Sequence, residues 1–185
     1  KIAQKALGQK VYFTSTDYRY KNCTLFLTKR AIEVFSQKDL KRLKDRHNRL
    51  IFDPVDWIMQ EGGRLKYADV LVAVSKDFYN HYKKKLPPSK KIVLVDHNVD
   101  SRLKALDWSE RPAKLSVGYF GELRSTFLNA KIRQRINVLP VDNGKQDDYW
   151  IKELPKYNLH YAIRQKNEVY PIKPFIKGFT AAHCG

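Results

Sequence analysis

The run "ADVLVAVSKDFYNHYKKKLPPSKKIVLVDHN", residues 68–98, decides the fold. Residues 68–75 are almost continuously apolar, as a strand must be when a parallel sheet is covered on both faces. Ser75 is an N-cap residue type, and Asp77 falls in the first turn, where a carboxylate suits the positive end of a helix. Phe78, Tyr79, Tyr82 and Leu86 then recur at helical spacing until Pro87 and Pro88 end the helix. "KKIVLVDHN" (90–98) supplies a second apolar strand. Strand, helix and strand over about thirty residues make a βαβ unit.

The flanking sequence continues the alternation. "KVYFTST" (10–16) and "CTLFLTK" (23–29) read as strands separated by a polar turn at 17–22. In "SQKDLKRLKDRHNRLIF" (36–52), Leu40, Leu43, His47 and Leu50 recur at helical spacing among lysines and arginines. "RLIFDPVDW" (49–57) leads a strand into a turn at Asp53-Pro54. Residues 100–114 are polar and form a connector. "KLSVGYFGE" (114–122) opens a fresh strand ending in Gly118 and Gly121. A helix over 125–136, a strand over 137–141, a turn over 142–146, a helix over 147–154 and a strand over 158–164 closing on Arg164 follow. Strand and helix alternate through both halves, so the fold expected is α/β with mainly parallel sheets.

Composition narrows the function. A chain of 185 residues has room for one ordinary domain or two small lobes, and 43% hydrophobic residues suffice for a core. No apolar run approaches the ~20 residues that span a bilayer, and residues 1–10 lack the apolar centre of a signal peptide. Cys23 and Cys184 give neither a disulfide framework nor a metal-binding spacing, so no metal is expected and a reduced, cytoplasmic setting is the default. Thirty-six Lys and Arg against 19 Asp and Glu leave a formal charge of +17, which points to polyanionic partners. The basic stretch 38–49 suits an anionic membrane on the cytoplasmic side, and equally suits a solvated helix.

Three stretches in order resemble the GT-B class of nucleotide-sugar glycosyltransferases, in their bacterial form. The Ala-Asp strand at 68–75 with its helix and second strand resembles the end of the family's amino-terminal lobe, with "HNVD" (97–100) at the place of an Asn-Gly-Val-Asp-like turn. "LSVGYFGE" (115–122) is similar to the strand and glycine loop opening the donor-binding lobe, and "KPFIKGFTAA" (173–182) to the Lys-Pro-x-x-Lys start of its donor-site helix. The resemblance covers roughly 68–185. It implies two Rossmann-like lobes: an acceptor-side lobe over 1–99, a hinge over 100–113, and a donor-binding lobe over 114–185 that is incomplete. It further implies sugar transfer from a nucleotide-diphosphate donor to a glycan or lipid-linked acceptor, the donor serving as substrate with no separate cofactor.

The chemistry asks for groups that hold a diphosphate leaving group: a helix amino-terminus, glycine-loop N–H groups and cations. Gly121 and Arg124 follow one strand and Arg164 ends another. Lys173 and Lys177 bracket a helix start with Pro174 at its first position, and Thr180 lies one turn further. A tight turn and solvated cations would account for the same residues, and Glu168 is a ready partner for Arg164. Inverting transfer also needs a base for the acceptor proton, and Asp53, Asp56 and His97, each after a strand, are the candidates. Two other functions stay open at this level: a basic nucleic-acid-binding protein and a non-catalytic interaction lobe. Nucleic acid is the less expected partner, because no helix-turn-helix, paired Cys/His or basic-aromatic sheet is visible.

Overall fold

The computed structural model describes residues 19–55, 63–96, 100–109, 112–123, 126–141, 149–164, 178 and 180–182. The chain divides into two units, Lys1–Val95 and Asp96–Gly185. Both are α/β with parallel sheets.

In the first unit β1 (Thr24–Thr28), β2 (Arg49–Asp53), β3 (Val70–Ala73) and β4 (Lys91–Leu94) form one sheet in the order β1-β2-β3-β4. All neighbours are parallel, with Thr24 opposite Arg49, Ile51 opposite Val70 and Val70 opposite Lys91. The βαβ unit is present, with its helix ending at Lys83, short of Leu86. Ser75 Oγ accepts the Phe78 amide at 3.1 Å and starts α3 (Lys76–Lys83), whose Phe78 and Tyr82 are fully buried with ring centroids 4.6 Å apart. Burying side chains of this size stabilises by about 1.5–3 kcal/mol each.

The crossover from β1 to β2 is built from two helices, α1 (Lys29–Val34) and α2 (Gln37–Asp45). Ser36 starts α2 through a capping box: its Oγ accepts the Asp39 amide at 3.2 Å, and Asp39 Oδ2 accepts the Ser36 amide at 3.1 Å. Leu40 and Leu43 are buried along this helix, but the helical spacing does not extend to His47 and Leu50. His47 has φ 61°, which turns the chain out of the helix, and Leu50 is a buried residue of β2. Asn48 replaces the missing turn. Its buried amide donates to the Leu43 and Tyr20 carbonyls, each at 2.8 Å, and accepts the Cys23 N–H at 3.0 Å.

Asp69, just before β3, ties three elements together. Its carboxylate is 2.6–2.7 Å from Lys44 Nζ of α2 and accepts the Leu50 amide of β2 at 2.8 Å. Partial burial alone would raise its pKa. The hydrogen bonds from Lys44 and the Leu50 amide, with the charges of Lys44 and Lys90, outweigh that and hold it below the usual carboxylate value.

In the second unit β5 (Val117–Gly121), β6 (Asn137–Pro140) and β7 (Leu159–His160) form a parallel sheet in the order β6-β5-β7. Leu103, Ile151 and Leu154 are the buried centre of a cluster against which Leu106, Trp108, Phe120 and Trp150 pack. Leu103 lies on a 3-10 turn, Ser101–Ala105, so part of the polar stretch 100–113 is rooted in this core. Ile151 lies on α5 (Tyr149–Glu153). The helix read over 125–136 is shorter, α4 (Ala130–Arg133), because Asn129 caps it by accepting the Ile132 amide at 2.9 Å. The strand run 10–16 and the turn 142–146 lie outside the described residues.

Candidate functional site

Strand order decides where each sheet can build a ligand site. In open parallel sheets the crevice opens at the carboxyl ends of strands where the order reverses. Among the described strands the first sheet steps one way only, whereas in the second the chain goes from β5 to β6 and then returns across β5 to β7. The reversal lies between β5 and β7. Gly121 ends β5, and the segment running to Arg164 leaves β7.

Gly121 has φ 147°, a backbone conformation that side-chain-bearing residues rarely adopt. Its carbonyl accepts the Val141 amide at 3.3 Å, and the loop beyond it is held from below by Tyr119. That buried phenol donates to the Glu122 carbonyl at 2.6 Å. On the β7 side, the Tyr161 amide donates to the Gly118 carbonyl at 2.8 Å, continuing the ladder past the strand.

The two exits are then joined. Thr126 and Arg164 form an isolated antiparallel bridge, and the buried Thr126 hydroxyl donates to the Ile163 carbonyl at 2.7 Å. The Phe127 amide also reaches the Ile163 carbonyl, at 3.2 Å, and the Tyr161 hydroxyl donates to the Phe127 carbonyl at 2.6 Å. The bridge and these two side-chain bonds fasten residues 126–127 to the segment after β7. Gly121 and the half-buried Arg164 belong to one loop cluster. In general, backbone N–H groups held in place beside a cation can hold an anion, since they need no reorganisation when it arrives.

Gly118 has a different task. A Cβ there would lie 2.8 Å from both Phe120 Cε2 and Tyr157 Cγ, so this glycine makes room for aromatic packing. Phe120 meets Tyr157 and His160 edge-on, at 5.4 and 5.3 Å between centroids. Burial first, and the Glu153 charge second, push the Tyr157 phenol above its usual pKa.

Thr126, Tyr119 and Tyr161 were not singled out from the sequence. A helical reading of 125–136 takes in Thr126, although a Thr and a capping Asn within four residues favour side-chain-to-backbone bonding over helix continuation.

The remaining candidates divide by position. Asp53 ends β2, half-buried, and its Oδ1 accepts the Val55 amide at 3.3 Å across the Asp53-Pro54 turn, where Val55 has φ 58°. Its carboxylate therefore shapes the turn. Thr180, Gly178 and Ala181 are half-buried and helical, and Ala182 is helical and exposed. Asp56, His97, Arg124, Lys173 and Lys177 lie outside the described residues, as does Glu168. Among the described residues no group of three or more His, Cys, Asp or Glu is arranged to hold a metal, and no helix is long and apolar enough to cross a membrane. No protein-family model, curated protein or solved structure matches this chain.

Proposed function

We propose that the chain is part of a two-lobed, GT-B-type glycosyltransferase, acting on the cytoplasmic side, that takes a sugar from a nucleotide-diphosphate donor to a glycan or lipid-linked acceptor. The observation that carries the reading is the reversal of strand order at β5, with the left-handed Gly121 at its carboxyl end and the Arg164 segment fastened beside it. A parallel sheet with a reversal is the architecture that receives nucleotides in many α/β proteins. In this reading 1–99 is the acceptor-side lobe, 100–113 the hinge and 114–185 the donor lobe.

The roles follow from the chemistry. Departure of a nucleoside diphosphate develops negative charge on the bridging oxygen. Arg164, with Arg124, Lys173, Lys177 and Thr180, would neutralise and position the diphosphate, and the loop N–H groups after Gly121 would accept close approach of its oxygens. Asp53, Asp56 and His97 are the candidates for taking the acceptor proton. Asp53 must leave or share its Val55 contact to do so, which makes it the least suited as it stands.

A thermal-shift panel of nucleoside mono- and diphosphates and nucleotide sugars tests this. A ligand bound only by the native state raises the melting midpoint with concentration, by RT ln(1 + [L]/Kd) in free energy. The proposal expects diphosphates and their sugars to stabilise the protein and nucleosides to leave it unchanged. No shift with any diphosphate, alongside tight RNA or DNA binding at physiological salt, would transfer the assignment to a nucleic-acid-binding protein.

A further inference from the structure

Charge is distributed unevenly over the two ends of the first sheet. Parallel pairing brings the starts of β1 to β4 to one edge, and the ends of α2 and α3 come to it too, because each helix must return the chain to the next strand's start. Lys21, Arg46, Arg49, Lys66, Lys84 and Lys91 are all exposed on the turns and element ends at this edge. Its described carboxylates, Asp45 and Asp69, are already engaged by two further lysines: Lys41 lies 2.8 Å from Asp45, and Lys44 2.6 Å from Asp69. Among the described residues the opposite edge carries Lys29, Arg30 and Lys76 together with Asp53, Asp77 and Asp96, which balance. Segments far apart in sequence thus converge on one positive surface.

Helix dipoles do not account for it. A basic residue at the end of a helix offsets the negative pole there, and this covers Arg46 and Lys84. Arg49 and Lys91 begin strands, Lys66 lies on a 3-10 turn and Lys21 precedes β1, so no α-helix end explains them.

We propose that this amino-terminal edge of the four-stranded sheet docks reversibly on an anionic lipid bilayer. Lysine predominates among the six, and its ammonium is a point charge suited to a diffuse field of headgroups rather than to bidentate recognition of one phosphate. Among the described residues the tyrosines nearest the edge, Tyr20 and Tyr67, are half-buried, and Lys66 Nζ lies 5.1 Å over the Tyr67 ring. Among the described residues, therefore, the edge lacks the exposed aromatic platform on which single-stranded nucleic acid stacks. Attachment is electrostatic, with nothing inserted into the hydrocarbon. It is independent of the donor site on the second sheet, and either proposal can fail alone.

The test is co-sedimentation of the full chain with phosphatidylcholine vesicles, with and without phosphatidylserine. Binding is expected only to the anionic vesicles, and it should weaken steeply as salt rises past ~0.15 M, where the Debye length is about 8 Å. The variant Arg49→Gln/Lys66→Gln/Lys91→Gln should partition on the order of a hundredfold more weakly, at about 1 kcal/mol per basic residue. Lys29→Gln/Arg30→Gln/Lys76→Gln removes the same charge from the other edge and should lose several-fold at most. Circular dichroism melts of both variants report folding, and Lys21→Gln/Lys84→Gln is a second edge variant should the first melt early. Equal losses for the two triple variants, equal binding to neutral vesicles, or a preference for single-stranded RNA over vesicles at physiological salt would each overturn the proposal.

Discussion

Replacing Asp69 by Asn should loosen the first unit by an amount that depends on pH. The carboxylate receives Lys44 Nζ on both oxygens and the Leu50 amide on one, and the Lys44 and Asp69 side chains are 31% and 30% exposed. Hydrogen bonds to charged groups contribute about 1.5–3 kcal/mol. Water reaches this pair, and exposed ion pairs sit far below buried ones, so the lower end applies. Asn keeps the volume and one acceptor for the Leu50 amide but loses the charge. A loss of about 1.5 kcal/mol near neutral pH is expected, or roughly 1 M in urea midpoint for a typical slope. Because the folded-state pKa of Asp69 is depressed, its contribution is fully present above the unfolded value of about 3.9 and is lost as pH falls through the lower folded value. The gap between wild type and Asp69→Asn should therefore be constant from neutral to mildly acid solution and close in strong acid, below the depressed folded-state value. Urea unfolding followed at the Leu50, Phe52 and Leu71 amides by heteronuclear NMR reads the first unit alone. Equal midpoints at pH 7, or a gap that persists in strong acid, would refute the assignment of Asp69 as the tie between α2, β2 and β3.

Gly118→Ala forces a Cβ against Phe120 and Tyr157 and should destabilise the second unit by about 1–3 kcal/mol, read by thermal melting. Asn48→Ala strands the Tyr20 carbonyl and the Cys23 amide and leaves the Leu43 carbonyl only its 3.4 Å bond from the residue-48 amide, so a loss of about 2 kcal/mol is expected in the same assay on the first unit. Gly121→Ala must hold φ near 147° or move the loop, at a cost on the order of 1–3 kcal/mol, and should weaken nucleoside-diphosphate binding by calorimetry. Arg164→Ala and Lys177→Ala should each weaken that binding about tenfold or more, with Lys83→Ala near wild type. Equal small losses for the three would mean ordinary surface charge.

The parts of the fold legible in the sequence are those encoded locally. The strand, helix and strand of 68–96 were legible because a continuous apolar run and a Ser cap each act over a few residues, and Ser75 does cap α3, although α3 ends at Lys83, before Leu86 and the Pro-Pro stop. The span 36–52 misled because Leu50 falls in phase with Leu40 and Leu43 by spacing alone, while His47 and the buried Asn48 change the backbone between them. The shortening of 125–136 has the same cause: Thr126 bonds to Ile163, thirty-seven residues away, and no local pattern announces that partner. Strand order was not legible at all, since pairing β5 between β6 and β7 depends on contacts between distant segments. Of the site, Gly121 could be named because it ends β5, and Arg164 because 158–164 reads as a strand, although β7 stops at His160 and Arg164 lies in the isolated bridge to Thr126. Thr126, Tyr119 and Tyr161 act through backbone carbonyls brought near only by the fold.

The most direct test of the donor-site proposal is an amide-resolved NMR titration of the 21.8 kDa chain with a nucleoside diphosphate. The account predicts saturable shifts concentrated at Gly121, Glu122, Thr126 and Arg164, with the matching nucleoside giving none. Shifts confined to Arg49, Lys66 and Lys91, or no saturable shift anywhere, would contradict a diphosphate site at the carboxyl ends of β5 and β7.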